Sequence, residues 1–149
     1  MREIKFRGKT KNGRWLVGEL LSLNSHKYIA PDNGDWFDFI EWVPENLFHA
    51  PDSDKYEVDI RTIGQFTGLH DSIGIEVYEG DIIRSFDSKG EPIIHYLLYD
   101  NEEAGFVAVL KGSAKGDFGY GRCYQQWITE CEKKVIGNIH DNPELLKQK

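Results

Sequence analysis

The sequence predicts a mainly β protein: a curled antiparallel sheet with one or two short helices at its margins. Three observations lead there. Short runs rich in Val, Ile, Tyr, Phe and Trp alternate with Gly, Pro, Asn and Asp along all 149 residues. Aromatic residues make up 13% of the chain, and they favour strands and bury large areas. Helical spacing is confined to two short stretches after residue 122.

Residues 2–7 alternate, with Ile4 and Phe6 on one face and Glu3, Lys5 and Arg7 on the other, as in a half-buried strand. Asn12-Gly13 then predicts a tight hairpin with positive φ at both central residues. Residues 15–23 form its return strand, and residues 27–30 a further short strand stopped by Pro31. Residues 36–43 are dense in aromatics and read as a strand ended by Pro44. Residues 57–67 are strand-like, and residues 70–74 make a turn. Short strands at 75–78 and 82–86 flank Glu79-Gly80-Asp81. Residues 87–90 turn again, and strands at 92–99 and 106–111 are joined by a polar segment. Glycines between 112 and 121 predict a flexible loop. Tyr124, Trp127 and Ile128 have helical spacing within residues 123–132. Residues 134–140 form the last strand, and Pro143 opens a short helix over 144–148. With no internal repeat or linker, one domain spanning 1–149 is expected.

Composition narrows the function classes. The net charge is −7, which opposes contact with phosphate backbones and anionic membranes unless basic groups are segregated. The two cysteines, Cys123 and Cys131, match no zinc spacing and read as free, mostly buried thiols. No apolar signal core or membrane-length apolar run occurs, so the expected location is the cytosol of a bacterial host, and no membrane partner is expected.

Three blocks carry a family resemblance. The first is Arg2-Glu3-Ile4-Lys5-Phe6-Arg7-Gly8-Lys9, followed by Gly13-Arg14-Trp15 and Gly18. The second runs from Thr62 through Gly64-Gln65-Phe66-Thr67-Gly68-Leu69-His70-Asp71 to Glu76-Val77-Tyr78-Glu79-Gly80-Asp81-Ile82-Ile83. The third is Val135-Ile136-Gly137-Asn138-Ile139-His140-Asp141-Asn142-Pro143-Glu144-Leu145-Leu146. In that order they resemble the YopX family of phage and prophage proteins. The chain departs from the family pattern at Ile73 and at Ile60-Arg61. The resemblance implies a β-rich fold with an SH3-like barrel portion, and no established activity.

The residues of unknown role in the family motif are Gly64, Gln65, Thr67, Gly68, Tyr78, Glu79, Gly80 and Asp81. Glu79-Gly80-Asp81 is physically a turn, since Gly supplies an unusual φ and Asp bonds nearby backbone. The functional alternative is a carboxylate cluster of Glu76, Glu79 and Asp81. The structural reading is preferred, because hard cations need several converging oxygens. Gly64 and Gly68 read as marks of a bulge or close packing. His70-Asp71 reads as a turn pair, and the histidines at 26, 49, 70, 95 and 140 form no ligand spacing. His95 lies in an apolar strand and reads as a satisfied core or edge histidine. No catalytic constellation, cofactor site or metal site is read from the sequence.

Basic groups cluster at Arg2, Lys5, Arg7, Lys9, Lys11 and Arg14, and acids at residues 32–59. A charged edge against aggregation is the preferred reading of the basic strand. In the segment 36–42, Trp36, Ile40 and Trp42 share one strand face and Phe37 and Phe39 the other. Two apolar faces make Trp36, Phe37, Phe39 and Trp42 a candidate interface. The function expected is a non-catalytic, self-associating binding or assembly protein, a homo-oligomer whose further partners are phage or host proteins. The alternatives are a nucleic-acid-binding small barrel, disfavoured by charge, and an enzyme using the Glu76, Glu79 and Asp81 carboxylates.

Overall fold

Hairpin geometry at the amino-terminal end sets the first sheet. In the computed structural model, which describes residues 1–23, 25–31 and 53–147, strand β1 (Phe6–Lys9) pairs antiparallel with β2 (Trp15–Leu23). Thr10 and Arg14 close the end of the ladder and leave a three-residue loop, residues 11–13. The Thr10 carbonyl accepts from the Gly13 N–H at 2.9 Å, and the Thr10 N–H donates to the Arg14 carbonyl at 2.9 Å. Gly13 alone is left-handed, at φ 83°. The expected two-residue turn with positive φ at Asn12 as well is therefore replaced by a turn that ends in a left-handed glycine. Register explains the change: Lys9 opposite Trp15 leaves five residues between them, with Thr10 and Arg14 closing the end.

Strand β3 (His26–Pro31) pairs along its whole length with β2. The expected strand over residues 57–67 is broken. Glu57 and Val58 make isolated bridges to Tyr28 and Thr10, a 3-10 turn follows over Ile60–Thr62, and β4 (Gly64–His70) begins only then. Asp59 causes the break. Its carboxylate accepts from the Arg61 N–H at 3.0 Å, which winds the chain. Thr62 fixes the turn: its hydroxyl donates to the Asp59 carbonyl at 2.7 Å and accepts from the Lys9 N–H at 2.9 Å.

The amino-terminal alternation also differs from expectation. Ile4 is 63% exposed, whereas Lys5 is 8% exposed. The Lys5 ammonium pairs with Glu3 at 3.0 Å and lies 4.9 Å from the centre of the Phe66 ring. Its aliphatic stem is covered while its charge is met, so the long cation outcompetes the isoleucine. Arg7 and Lys9 lie over the Trp15 ring at 5.2 and 6.0 Å. Much of the basic strand is thus engaged within its own sheet.

The chain divides into two compact units, Met1–Phe66 and Thr67–Lys149. The core of the first is Leu16, Tyr28, Ile29, Ala30, Tyr56 and Val58, with Phe6 and Ile63 packed against it. The short helix Ser53–Tyr56 leads into Tyr56 and Val58.

The second unit contains β5 (Glu76–Tyr78), β6 (Asp81–Phe86), β7 (Pro92–Asp100), β8 (Gly105–Leu110), β9 (Tyr120–Arg122) and β10 (Lys134–Asn138). Two five-stranded antiparallel sheets result, ordered β3-β2-β1-β4-β5 and β10-β6-β7-β8-β9. Strand β9 arises within the glycine-rich stretch expected to be a loop. Asp117 organises that stretch by accepting from the Ala114 N–H at 2.8 Å. The expected helices are a helix over Gln125–Glu130 and a 3-10 turn over Pro143–Leu146. The second core gathers Val77, Ile83, Leu97, Ala108 and Ile128. Among the described residues both sheets are open, so no barrel closes. No described helix is long and apolar enough to cross a membrane. The expected strand at 36–43, with Trp36, Phe37, Phe39 and Trp42, lies outside the described residues.

Gly8 reports on the first core. A Cβ there would sit 2.9 Å from Val58 Cβ and 3.1 Å from Ile29 Cδ1. Gly8→Ala should therefore destabilise the fold by roughly 1–3 kcal/mol through overpacking, read as a lower denaturant midpoint.

Candidate functional site

The family-motif residues are placed by backbone needs. Gly64 and Gln65 open β4 and pair with Arg7 and Phe6. Further along β4, the Thr67 hydroxyl donates to the Val77 carbonyl at 2.7 Å and accepts from the Leu69 N–H at 3.2 Å. Gly68 between them has φ 82°, with nothing near its missing side chain, so conformation rather than space selects glycine. Tyr78 and Asp81 meet directly, the Tyr78 N–H donating to Asp81 Oδ2 at 2.7 Å within the buried turn. Gly80, at φ 88°, donates its N–H to the Leu97 carbonyl at 2.8 Å and accepts from the Ile139 N–H at 2.9 Å. Glu76 binds the Tyr78 hydroxyl at 2.8 Å. The three carboxylates do not face one open point. Among the described residues no three His, Cys, Asp or Glu side chains converge as a metal site would require.

Asp71 accepts three backbone hydrogen bonds. It is 4% exposed. Its Oδ1 accepts from the Ile73 and Ile75 N–H groups, each at 2.9 Å, and its Oδ2 from the Val135 N–H at 3.0 Å. The turn after β4 and the start of β10 thus close on one side chain. Next to it, Gln125 grips the His70 backbone from the helix: its amide oxygen accepts from the His70 N–H at 3.0 Å, and its amide nitrogen donates to the His70 carbonyl at 2.8 Å. Sequence reading missed both anchors, because Asp71 and Val135 are 64 residues apart and His70 and Gln125 are 55 apart.

Asp100 repeats the arrangement at the β7–β8 connection. It accepts from the Glu102 and Glu103 N–H groups at 2.8 and 3.2 Å, from the Tyr120 hydroxyl, and from the Lys115 ammonium. The Tyr120 hydroxyl first, then Lys115, hold its carboxyl well below the usual carboxylate range. Glu102 first, and then Asp100, push the Lys115 ammonium upward, and the Asp100 contact raises the Tyr120 hydroxyl.

One cavity lies on the outer part of the second sheet, and another of about 330 Å³ is lined by Lys11, Glu57, Val58 and Asp59 in the first unit. His95, Ala108, Gly119, Tyr120, Gly121, Arg122, Tyr124 and Trp127 line the first, of about 340 Å³. His95 meets Trp127 edge-on, with ring centres 5.1 Å apart. Its Nδ1 is buried with no hydrogen-bond partner, so the expected satisfied histidine is satisfied only in part. Burial, and then the charge of Lys133, push its imidazole down to about 4, which keeps it neutral at physiological pH. The Lys133 ammonium donates to the Trp127 carbonyl at 2.9 Å and lies 4.2 Å over the Trp127 ring. Cys123 is half-buried, and burial pushes its thiol up to about 12, against the opposing charge of Lys133. It is held as an inert thiol. Cys131, expected to be mostly buried, is exposed instead.

Two outcomes follow. Asp71→Ala should destabilise by roughly 1.5–3 kcal/mol, since hydrogen bonds to a buried charged acceptor are lost, while Asp71→Asn, which keeps one acceptor oxygen, should lose less; urea titration measures both. For His95 the folded pKa lies below the ordinary 6.5. Between these values the unfolded chain takes up a proton that the folded chain does not, so stability falls as pH drops from about 6.5 towards 4 and then levels off. Melting temperatures of His95→Phe should show a shallower decline over that window than the parent.

Comparison with other proteins agrees with this architecture. The crystal structure of protein EF1440 from Enterococcus faecalis superposes with a TM-score of 0.54 over 99% of this chain and 100% of that one. At 21% identity the likeness concerns the fold alone. No protein in the curated set gives a significant match. The sequence profile of the YopX protein matches residues 5–147, nearly the whole length. The chain belongs to the YopX family.

Proposed function

We propose that this chain is a phage-encoded, non-catalytic binding or assembly protein that self-associates in the cytosol of a bacterial host. The observation that supports the non-catalytic part is the use of its buried carboxylates. Asp71 turns both oxygens to backbone N–H groups, Asp81 its Oδ2 and Asp100 its Oδ1, the bonding expected of scaffold rather than of a general acid or base. Burial raises the Cys123 thiol, the direction opposite to that of an activated nucleophile. An SH3-like character of part of the fold belongs to the same proposal.

Self-association rests on the sequence of residues 36–42, where four aromatics would present apolar surface on both faces of a strand. A second copy covers the surplus face, and a phage or host protein is the next partner in line. Nucleic acid is a weaker candidate. Lys5 is buried against Glu3 and Phe66, and Arg7 and Lys9 already lie over Trp15.

Sedimentation equilibrium at micromolar concentration tests this reading. A dimer or higher oligomer is expected, and Trp42→Ala or Phe37→Ala should dissociate it with the β circular dichroism retained. A clean monomer for the parent chain overturns self-association.

A further inference from the structure

We propose that a basic and apolar patch on the second sheet, formed by Arg84, Phe86, Pro92, Ile94 and Lys134, receives the acidic, aromatic segment 36–42 of a second copy of this chain. Ladder register assembles the patch. Lys134 of β10 lies opposite Arg84 of β6, Arg84 lies opposite Ile94 of β7, and Phe86 lies opposite Pro92, so all five share one face. Ile94 is half-buried and the other four are exposed, Phe86 at 56%. The Arg84 guanidinium lies 5.2 Å from the centre of the Phe86 ring.

Like charges directly opposite one another weaken a ladder. Among the described residues neither Arg84 nor Lys134 has an ion-pair partner. Protection of a sheet edge accounts for Lys134, since β10 is an outer strand. It does not account for Arg84, because β6 lies between β10 and β7. In a chain of net charge −7, two opposed cations beside an exposed aromatic ring call for an anionic partner with apolar surface.

The sequence holds that complement. Residues 32–54 carry acids throughout and neither lysine nor arginine, so the stretch does not neutralise its own charge. Read as a strand, 36–42 places Asp38 on one face with Trp36, Ile40 and Trp42, and Glu41 on the other with Phe37 and Phe39. Either face thus presents a carboxylate among aromatics, which suits cations set beside Phe86, Pro92 and Ile94. The amino-terminal cations are committed elsewhere: Lys5 pairs with Glu3, and Arg7 and Lys9 lie over Trp15. The inference rests on the self-association proposed above and names its receiving surface. Reciprocal docking, segment onto patch in both directions, closes a two-fold dimer.

Two charge-reversed forms of the full chain test the pairing, Arg84→Glu/Lys134→Glu and Asp38→Lys/Glu41→Lys, with circular dichroism to verify the fold. In sedimentation equilibrium at micromolar concentration and low salt, each form alone should associate about tenfold or more weakly than the parent, because like charges then face each other. An equimolar mixture of the two should regain association, since each segment again meets a patch of opposite sign. Should a reversed form lose its β spectrum, Arg84→Gln/Lys134→Gln replaces it; its association should weaken about three- to tenfold and lose most of its salt dependence. A parent dimer that persists unchanged in the Arg84/Lys134 variants, or a mixture that stays dissociated, overturns this inference and leaves self-association standing. A monomeric parent overturns both.

Discussion

The Asp71 carboxylate is the contact on which the second unit most depends. A buried charge is tolerated only when its lone pairs are met by donors. Here two donors come from its own turn, Ile73 and Ile75, and the third from Val135 at the start of the last strand. The turn after β4 cannot open without stripping the carboxylate, and β10 cannot leave without doing the same. Side-chain exposure at the turn is no guide to its rigidity: Ile73 and Ile75 are 66% and 50% exposed, yet their amides point at one buried acceptor.

The same device recurs along an acidic chain. Asp59, Asp71, Asp87 and Asp100 each accept from the backbone N–H two residues onward. Each such bond winds the chain into a local turn, and each falls where one run of extended chain gives way to the next. Several acids behind the charge of −7 are thus part of the framework. Asparagines take the same role in the last family block. Asn138 Oδ1 accepts from the His140 and Asp141 N–H groups, and Asn142 Oδ1 accepts from the Asn138 N–H. Gly137 lies so close to the Asn142 amide that a Cβ would collide with it. The family motif reads, residue by residue, as a set of instructions for turns and bulges.

How much of this was legible in the sequence depended on distance along the chain. Strand β2 over Trp15–Leu23 and the turn at Asp87–Gly90 were readable because hydrophobic runs and turn residues act locally. The turn at Glu79-Gly80-Asp81 was readable for the same reason. What escaped were choices made by distant partners. Lys5 displaces Ile4 from the interior because Phe66, about sixty residues later, receives its ammonium. The strand expected through Ile60 fails because Asp59 and Thr62 fold back onto Lys9. The cavity was invisible because Ala108 and Gly121 become neighbours only when β8 and β9 pair. The unsatisfied nitrogen of His95 likewise depends on burial that no local pattern encodes.

The central claim is that the motif around His70-Asp71 and Val135 forms a closed, buried hydrogen-bond centre rather than a reactive site. Native-state hydrogen exchange of the Ile73, Ile75 and Val135 amides tests it most directly. All three should exchange only through the opening that exposes the core amides of Val107 and Val109, with equal free energies, despite the exposure of the Ile73 and Ile75 side chains. Rapid exchange of Ile73 and Ile75 while the core amides remain protected would contradict the account.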